Sequence, residues 1–419
     1  MSTVMTVMRR NTELGLMVMA VVLTAGAYAL AGLGRSSSLP ANLVPFLLII
    51  LGLLAVAHVA TRRLAPGADG ILLPLAALLN GLGYVFIARL DSDLAALQAM
   101  WTALGVGAFA ATLFLARRAR DLERFRYTFA LVGIGLLLMP LLPGIGQTIN
   151  GARLWVRLGA LTFQPGELAK IALCVFFASY LVEKQPLHAM GTRRVAGLWV
   201  PNVRHFGPIV LAWGFSLVIM FFEKDLGSSL LFFALFIVML WVATGRGVYL
   251  GVGGVMFAGG ALLAWMIFDH VKTRISILID PWSVASDAGY QTVQAMFAFA
   301  AGGLTGTNLG QGSPQRIPAV STDFIFAAIG EELGLLGSTA LLMAFLLMVG
   351  AGLRIALRIE SPFEKLLAAG LTAILGLQTF IILGGVTRLV PLTGITLPFV
   401  SYGGSSLISN YILLALLLR

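Results

Sequence analysis

The chain has 419 residues, of which 59% are hydrophobic and only 11% charged, and its mean hydropathy is +0.95. Soluble domains are nearer half apolar and a quarter charged, so this composition excludes an ordinary cytosolic enzyme, a disordered chain and a collagen-like one. The formal net charge of +10 fits the Lys/Arg excess of cytoplasmic loops in a membrane protein, and no nucleic-acid partner is implied. A single cysteine, Cys174, rules out an intrachain disulfide.

A bilayer core takes about 20 apolar residues per helix. In chain order the candidate spans are Leu14–Gly34, Leu43–Ala60, Gly70–Arg89, Ala96–Ala116, Tyr127–Leu142 and Pro165–Val182. They continue at Phe206–Phe222, Leu226–Thr244, Val248–Phe268, Phe324–Gly352, Lys365–Val386 and Leu397–Leu418. The expected fold is all-α and polytopic, one integral membrane domain over 1–419 with roughly twelve transmembrane helices. With the N-terminus inside, about 18 basic residues fall on cytoplasmic loops and about 9 outside, which predicts that both termini are cytoplasmic. Two long segments, 143–164 and 269–322, then lie on the outer face, the first as an amphipathic loop and the second leading to Asp323.

Several familiar chemistries are missing. No His has a second ligand at zinc spacing, and neither a phosphate-binding G-x-x-x-x-G-K-[ST] loop nor a G-x-S-x-G nucleophile elbow occurs. The informative residues are instead polar groups that a membrane tolerates poorly. In Asn150–Gly159, Arg153 and Arg157 share a face beside Trp155 if the segment is helical. Such a pair either anchors an interfacial element or binds a lipid-linked pyrophosphate, whose oxygens match the guanidinium fork. In Phe163–Lys170, Pro165 suits a first helical turn, and Glu167 and Lys170 lie on one face. They form a self-neutralising pair, or face a wet cavity where Lys170 holds a phosphate.

Glu223-Lys224-Asp225 makes a charged corner between two spans. Asp323 precedes a long apolar helix, where an N-cap and a chemical role compete, and Glu331 and Glu332 follow two turns on. The stretch 391–406 holds Pro391, Pro398, Ser401 and Tyr402 among its glycines and breaks the last apolar run. Broken backbone at membrane depth is tolerated where protein buries it or where it lines a cavity.

Taken in order, Gly151–Gly159, Phe163–Lys170, Asp225–Gly227, Gly289–Gly312, Thr322–Gly334 and Pro391–Ser406 resemble the motifs of the SEDS family, the RodA and FtsW proteins of bacterial cell-wall synthesis. The resemblance is nearer the RodA branch; residues 1–126 carry only weak family signal. It implies a core of about ten helices with about two extra N-terminal ones. It implies a peptidoglycan glycosyltransferase that polymerises lipid II, the undecaprenyl-pyrophosphoryl disaccharide-pentapeptide, on the outer face of the cytoplasmic membrane. Asp323 is then the candidate general base, with Arg153, Arg157, Glu167, Lys170, Asp225, Glu331, Ser401 and Tyr402 binding or supporting. A divalent cation, magnesium or manganese, is a candidate cofactor, and a class B penicillin-binding protein the implied partner. The residues alone leave open a lipid II flippase or a non-catalytic scaffold.

Overall fold

The computed structural model describes residues 2–419 apart from 150, 160, 190–192, 196–197, 201–210, 212–213, 216–217 and 220. The expected span Phe206–Phe222 therefore lies largely outside the described residues. The helices are α1 (Ser2–Ser36), α2 (Leu43–Leu64), α3 (Leu72–Leu90), α4 (Ser92–Leu115), α5 (Arg126–Leu138), α6 (Gly166–Ala189) and α7 (Leu226–Thr244). After these come α8 (Val248–Ile267), α9 (Asp269–Ile279), α10 (Tyr290–Gly302), α11 (Ile325–Arg358), α12 (Pro362–Val386) and α13 (Gly404–Leu418).

Among the described residues nine helices are long and apolar enough to cross a membrane. The all-α, polytopic architecture holds, with a count of nine where roughly twelve is expected. The last helix falls short of the required length because residues 391–403 are not helical, leaving only Gly404–Leu418. Among the described residues the number of candidate spans is thus odd, which sets the termini on opposite sides of the membrane and overturns the expectation that both are cytoplasmic.

The chain divides into two compact units: Met1–Arg117 with Ser276–Ala351 and Gln378–Arg419, and Arg118–Ile275 with Gly352–Leu377. In the first, α13 packs on α4 and touches α3, while α1 packs on α3 and α2 on α4. Asp91 starts α4, its carboxylate accepting from the amides of Asp93 and Leu94. Small residues let the elements approach closely: a Cβ on Gly83 would sit 2.3 Å from the Val400 carbonyl oxygen, and one on Gly105 2.6 Å from the Tyr411 ring. Asn80 of α3 donates to the hydroxyl of Tyr411, 3.1 Å away, so the fully packed α13 is also hydrogen-bonded. The apolar stretch of α3 is 67% buried and that of α2 only 17%, so α2 presents most of its surface to lipid.

The second unit holds α5 to α8, most of α9 and α12, and a small antiparallel sheet. Strands β1 (Gly146–Ile149), β2 (Ala152–Leu158) and β3 (Leu161–Phe163) pair in the order β1-β2-β3, with Gln147 opposite Trp155 and Val156 opposite Phe163. Segment 143–164 is thus strand where a helical reading was open. Side chains alternate across a strand, so Arg153, Trp155 and Arg157 still share a face while Val156 is buried on the other.

α1 and α2 are tied by a buried pair, His58 Nδ1 to Glu13 Oε1 at 2.8 Å. Removing one member of a buried pair strands the other charge or dipole. Glu13→Gln and His58→Ala are each expected to destabilise the protein by about 3 kcal/mol in detergent unfolding, while the double change to leucine restores much of it. A loss in the double change equal to the sum of the two single losses would show that the pair contributes no coupling.

Candidate functional site

The expected site residues are distributed over both units. In the first unit, Asp323 lies half-buried on the turn before α11. That turn is closed by the amides of Thr322 and Phe324, both donating to the Ala319 carbonyl. Ala327 and Ala328 donate to Phe324, which puts Phe324 at the N-cap position and Asp323 one residue outside it.

The turn is held from the broken segment 391–406. Ser401 Oγ donates to the Thr322 carbonyl at 2.6 Å and accepts the Leu397 amide at 3.0 Å. The Tyr402 amide donates to the Ser321 carbonyl at 2.8 Å. Gln378 Nε2 satisfies the Thr396 carbonyl at 2.9 Å, and Thr396 Oγ1 pairs with Ser406 Oγ at 2.7 Å. The irregular backbone is therefore satisfied by protein, as a membrane interior demands. Ser401 and Tyr402, expected to support substrate, carry the Asp323 turn.

Glu331 and Glu332 serve a different end. Glu332 Oε1 pairs with Arg89 Nε at 2.5 Å and its Oε2 accepts the Gly310 amide at 3.0 Å. Glu331 Oε1 accepts the Ser313 amide at 2.7 Å, and Arg89 Nη2 donates to the Gly312 carbonyl at 2.7 Å. Both carboxylates bind the 303–315 loop against α11. Gly334, at φ 64°, lets α11 kink so that Leu335 and Leu336 donate to the carbonyls of Gly303 and Leu304. Arg89 was not singled out in the sequence; its signal there is a lone cation ending an apolar run.

In the second unit, Glu167 lies in the first turn of α6, and Lys170 Nζ donates to its Oε2 at 2.6 Å. Lys170 is only 2% exposed, so the self-neutralising geometry is present and dry. Arg153 Nε donates to the Pro140 carbonyl at 2.9 Å and Nη2 to the Leu142 carbonyl at 3.3 Å, which anchors β2 to the end of α5. Arg157 is exposed, with Nε donating to the Gly159 carbonyl at 3.3 Å. Asp225 is the N-cap of α7, accepting the Ser228 amide at 3.0 Å. Among the described residues no three His, Cys, Asp or Glu side chains form a group that could hold a metal ion. The residues present do not make a protein cage for a divalent cation, and no step is assigned to one.

Comparison with known proteins gives the family. Residues 73–419 match the FtsW/RodA/SpoVE family, described as cell cycle protein. The Mycobacterium tuberculosis protein named peptidoglycan glycosyltransferase RodA is 45% identical over 422 residues, covering 98% of this chain and 90% of that one. A chain from a peptidoglycan synthase complex that coordinates polymerization and crosslinking superposes with a TM-score of 0.67 at 30% identity, over 84% of this chain and 97% of that one. The crystal structure of the Thermus thermophilus rod shape determining protein RodA gives a TM-score of 0.59 at 28% identity, over 84% and 96%. The chain belongs to the SEDS family of RodA- and FtsW-like glycosyltransferases. It is an enzyme, where the residues alone left a transporter or a scaffold open. The family match begins within α3, so α1 and α2 precede it, although the mycobacterial alignment spans nearly the whole chain.

Two predictions follow from the geometry of these polar groups. Arg89→Gln should leave the Glu332 carboxylate uncompensated and free the 303–315 loop, lowering amide-exchange protection there by roughly 3 kcal/mol without touching α13. Unchanged loop protection would refute the brace. At the start of α9, burial holds the His270 imidazole below its usual range, and Arg274 and Lys224 push it the same way. Below the ordinary value of about 6.5 the unfolded chain therefore binds the extra proton first, and stability falls as pH drops from there through the folded pKa. His270→Gln should flatten that part of the pH–stability profile; an unaltered profile would exclude His270 as its source.

Proposed function

We propose that this glycosyltransferase polymerises lipid II into glycan strands on the outer face of the cytoplasmic membrane, with Asp323 as the general base. The carrying observation is the Asp323 turn, fixed on one side by α11 and on the other by Ser401 and Tyr402. A base must be placed to within hydrogen-bond reach of the hydroxyl it deprotonates, and a turn held from two elements supplies that placement.

The chemistry suits one carboxylate. Converting an α-linked pyrophosphate into a β-1,4 glycosidic bond is an inversion. The acceptor hydroxyl loses its proton to Asp323 as oxygen attacks the anomeric carbon, and the pyrophosphate departs without needing a proton. Charge growing on the leaving group is offset by cations, the role given to Arg153, Arg157 and Lys170. Glu167 sets the position of Lys170, Asp225 the start of α7, and Glu331 the loop beside α11. The long segment 269–322 is read as the outer-face approach to Asp323. The synthase-complex relative couples polymerization to crosslinking, which supports a class B penicillin-binding protein as partner for this chain.

Asp323→Asn tests the assignment, because Asn keeps the size and a side-chain acceptor oxygen of Asp but is no base. The variant should fold and insert normally and polymerise lipid II on the order of 10²–10⁴-fold more slowly in detergent or liposomes. A well-folded Asp323→Asn protein working at normal speed would overturn it.

A further inference from the structure

The first unit contains a polar cavity and an apolar one that share a wall, and neither takes part in the reaction assigned above. The apolar cavity, about 320 Å³, lies between α1, α2, α3 and α4 and reaches Tyr411. α1 and α3 touch where Thr24 meets Gly81, and the facing α4 residues Ala96 and Ala99 are too short to fill the space left beside α2. The polar cavity, about 400 Å³, lies at the end of α1 and carries Arg35 and Arg89. Asn42, Tyr84 and Ala96 line both. Phe46 stacks on Tyr84 with ring centroids 4.3 Å apart, and Tyr28 donates to Asn42 Oδ1 at 2.7 Å, which fixes the residues common to the two cavities.

The two ends differ in what they lack. Arg89 is neutralised by Glu332. Arg35 is exposed and forms no ion pair among the described residues; one of its N–H groups donates to the Arg89 carbonyl at 3.2 Å. A net cation therefore stands over a hydrocarbon-lined space that opens beside the lipid-facing α2, whose Leu48 is 66% exposed. The apolar cavity is lined mainly by hydrocarbon, with Thr24, Asn80 and Thr102 at its wall, and a neutral hydrocarbon leaves the guanidinium unmatched. An amphiphile with an anionic phosphate satisfies both.

We infer that this double cavity binds an anionic glycerophospholipid, one acyl chain among α1–α4 and its phosphate on Arg35. The site is independent of Asp323 and of the reaction proposed for it. The test uses the purified full chain in detergent, titrated with dioctanoyl phosphatidylglycerol, with dioctanoylglycerol, which lacks the phosphate, and with inorganic phosphate. Phosphatidylglycerol should raise the melting temperature saturably, dioctanoylglycerol should bind roughly tenfold or more weakly, and inorganic phosphate should have no effect. Arg35→Gln, a change at an exposed residue that leaves the fold intact, should bring phosphatidylglycerol down to the affinity of dioctanoylglycerol. Ala99→Leu should remove binding of both lipids, which separates this cavity from any other lipid-binding surface. Equal affinities for the two lipids, an equal shift from inorganic phosphate, or undiminished phosphatidylglycerol binding by Arg35→Gln would each overturn the inference.

Discussion

A guanidinium and a carboxylate held away from water, Arg89 and Glu332, set the terms for the first unit. Neither charge is tolerable alone in an apolar interior, and paired they still leave hydrogen-bonding capacity to be satisfied. That capacity is spent on the backbone of 303–315, through the Gly310 amide and the Gly312 carbonyl. An irregular loop can therefore lie against a membrane helix with its polar groups matched. Because the same loop takes the amides beyond Gly334, the start of α11 is fixed at the kink as well as at its first turn. Asp323 stands at the head of that fixed stretch.

The turn around Asp323 is held through the main chain of its neighbours, Ser321 and Thr322. Orientation is thus supplied by groups that carry no charge. The stapling residues belong to a segment that the prolines and glycines of 391–404 keep out of helix, and only such a segment can offer an amide and a hydroxyl sideways to another element. A continuous final helix would have used those groups internally.

Much of this is legible in the residues, and what is not has identifiable causes. The run Leu226–Thr244 reads directly, because hydropathy is local, whereas Asp225 reads only as part of a charged corner and its cap shows once the helix start is fixed. The strand at Ala152–Leu158 does not: two arginines four apart share a face in a helix and in a strand alike, so the spacing cannot choose. Glu331 and Glu332 read only as costly charges within an apolar run, because their partners, Arg89 and the loop amides, lie far away in the sequence. Length decides the last run, where a broken segment takes residues that hydropathy alone assigns to a span.

α1 and α2, which precede the family match, show how a cavity follows from the placement of polar contacts. Near the start of α1 and the end of α2 the helices are joined by Glu13 and His58; toward the other end Tyr28 bonds Asn42. Two antiparallel helices pinned at both ends cannot settle inward at their middle. Thr24 already occupies the closest approach of α1 to α3, at Gly81. The small side chains of α4 opposite would ordinarily draw a neighbour in, since in lipid helix association rests on packing and not on exclusion of water. α2 does pack on α4 elsewhere along its length, yet beside Ala96 and Ala99 the gap stays open to hydrocarbon from the bilayer. Filling it with a chain restores the dispersion contacts that the clamped geometry withholds from the helices themselves.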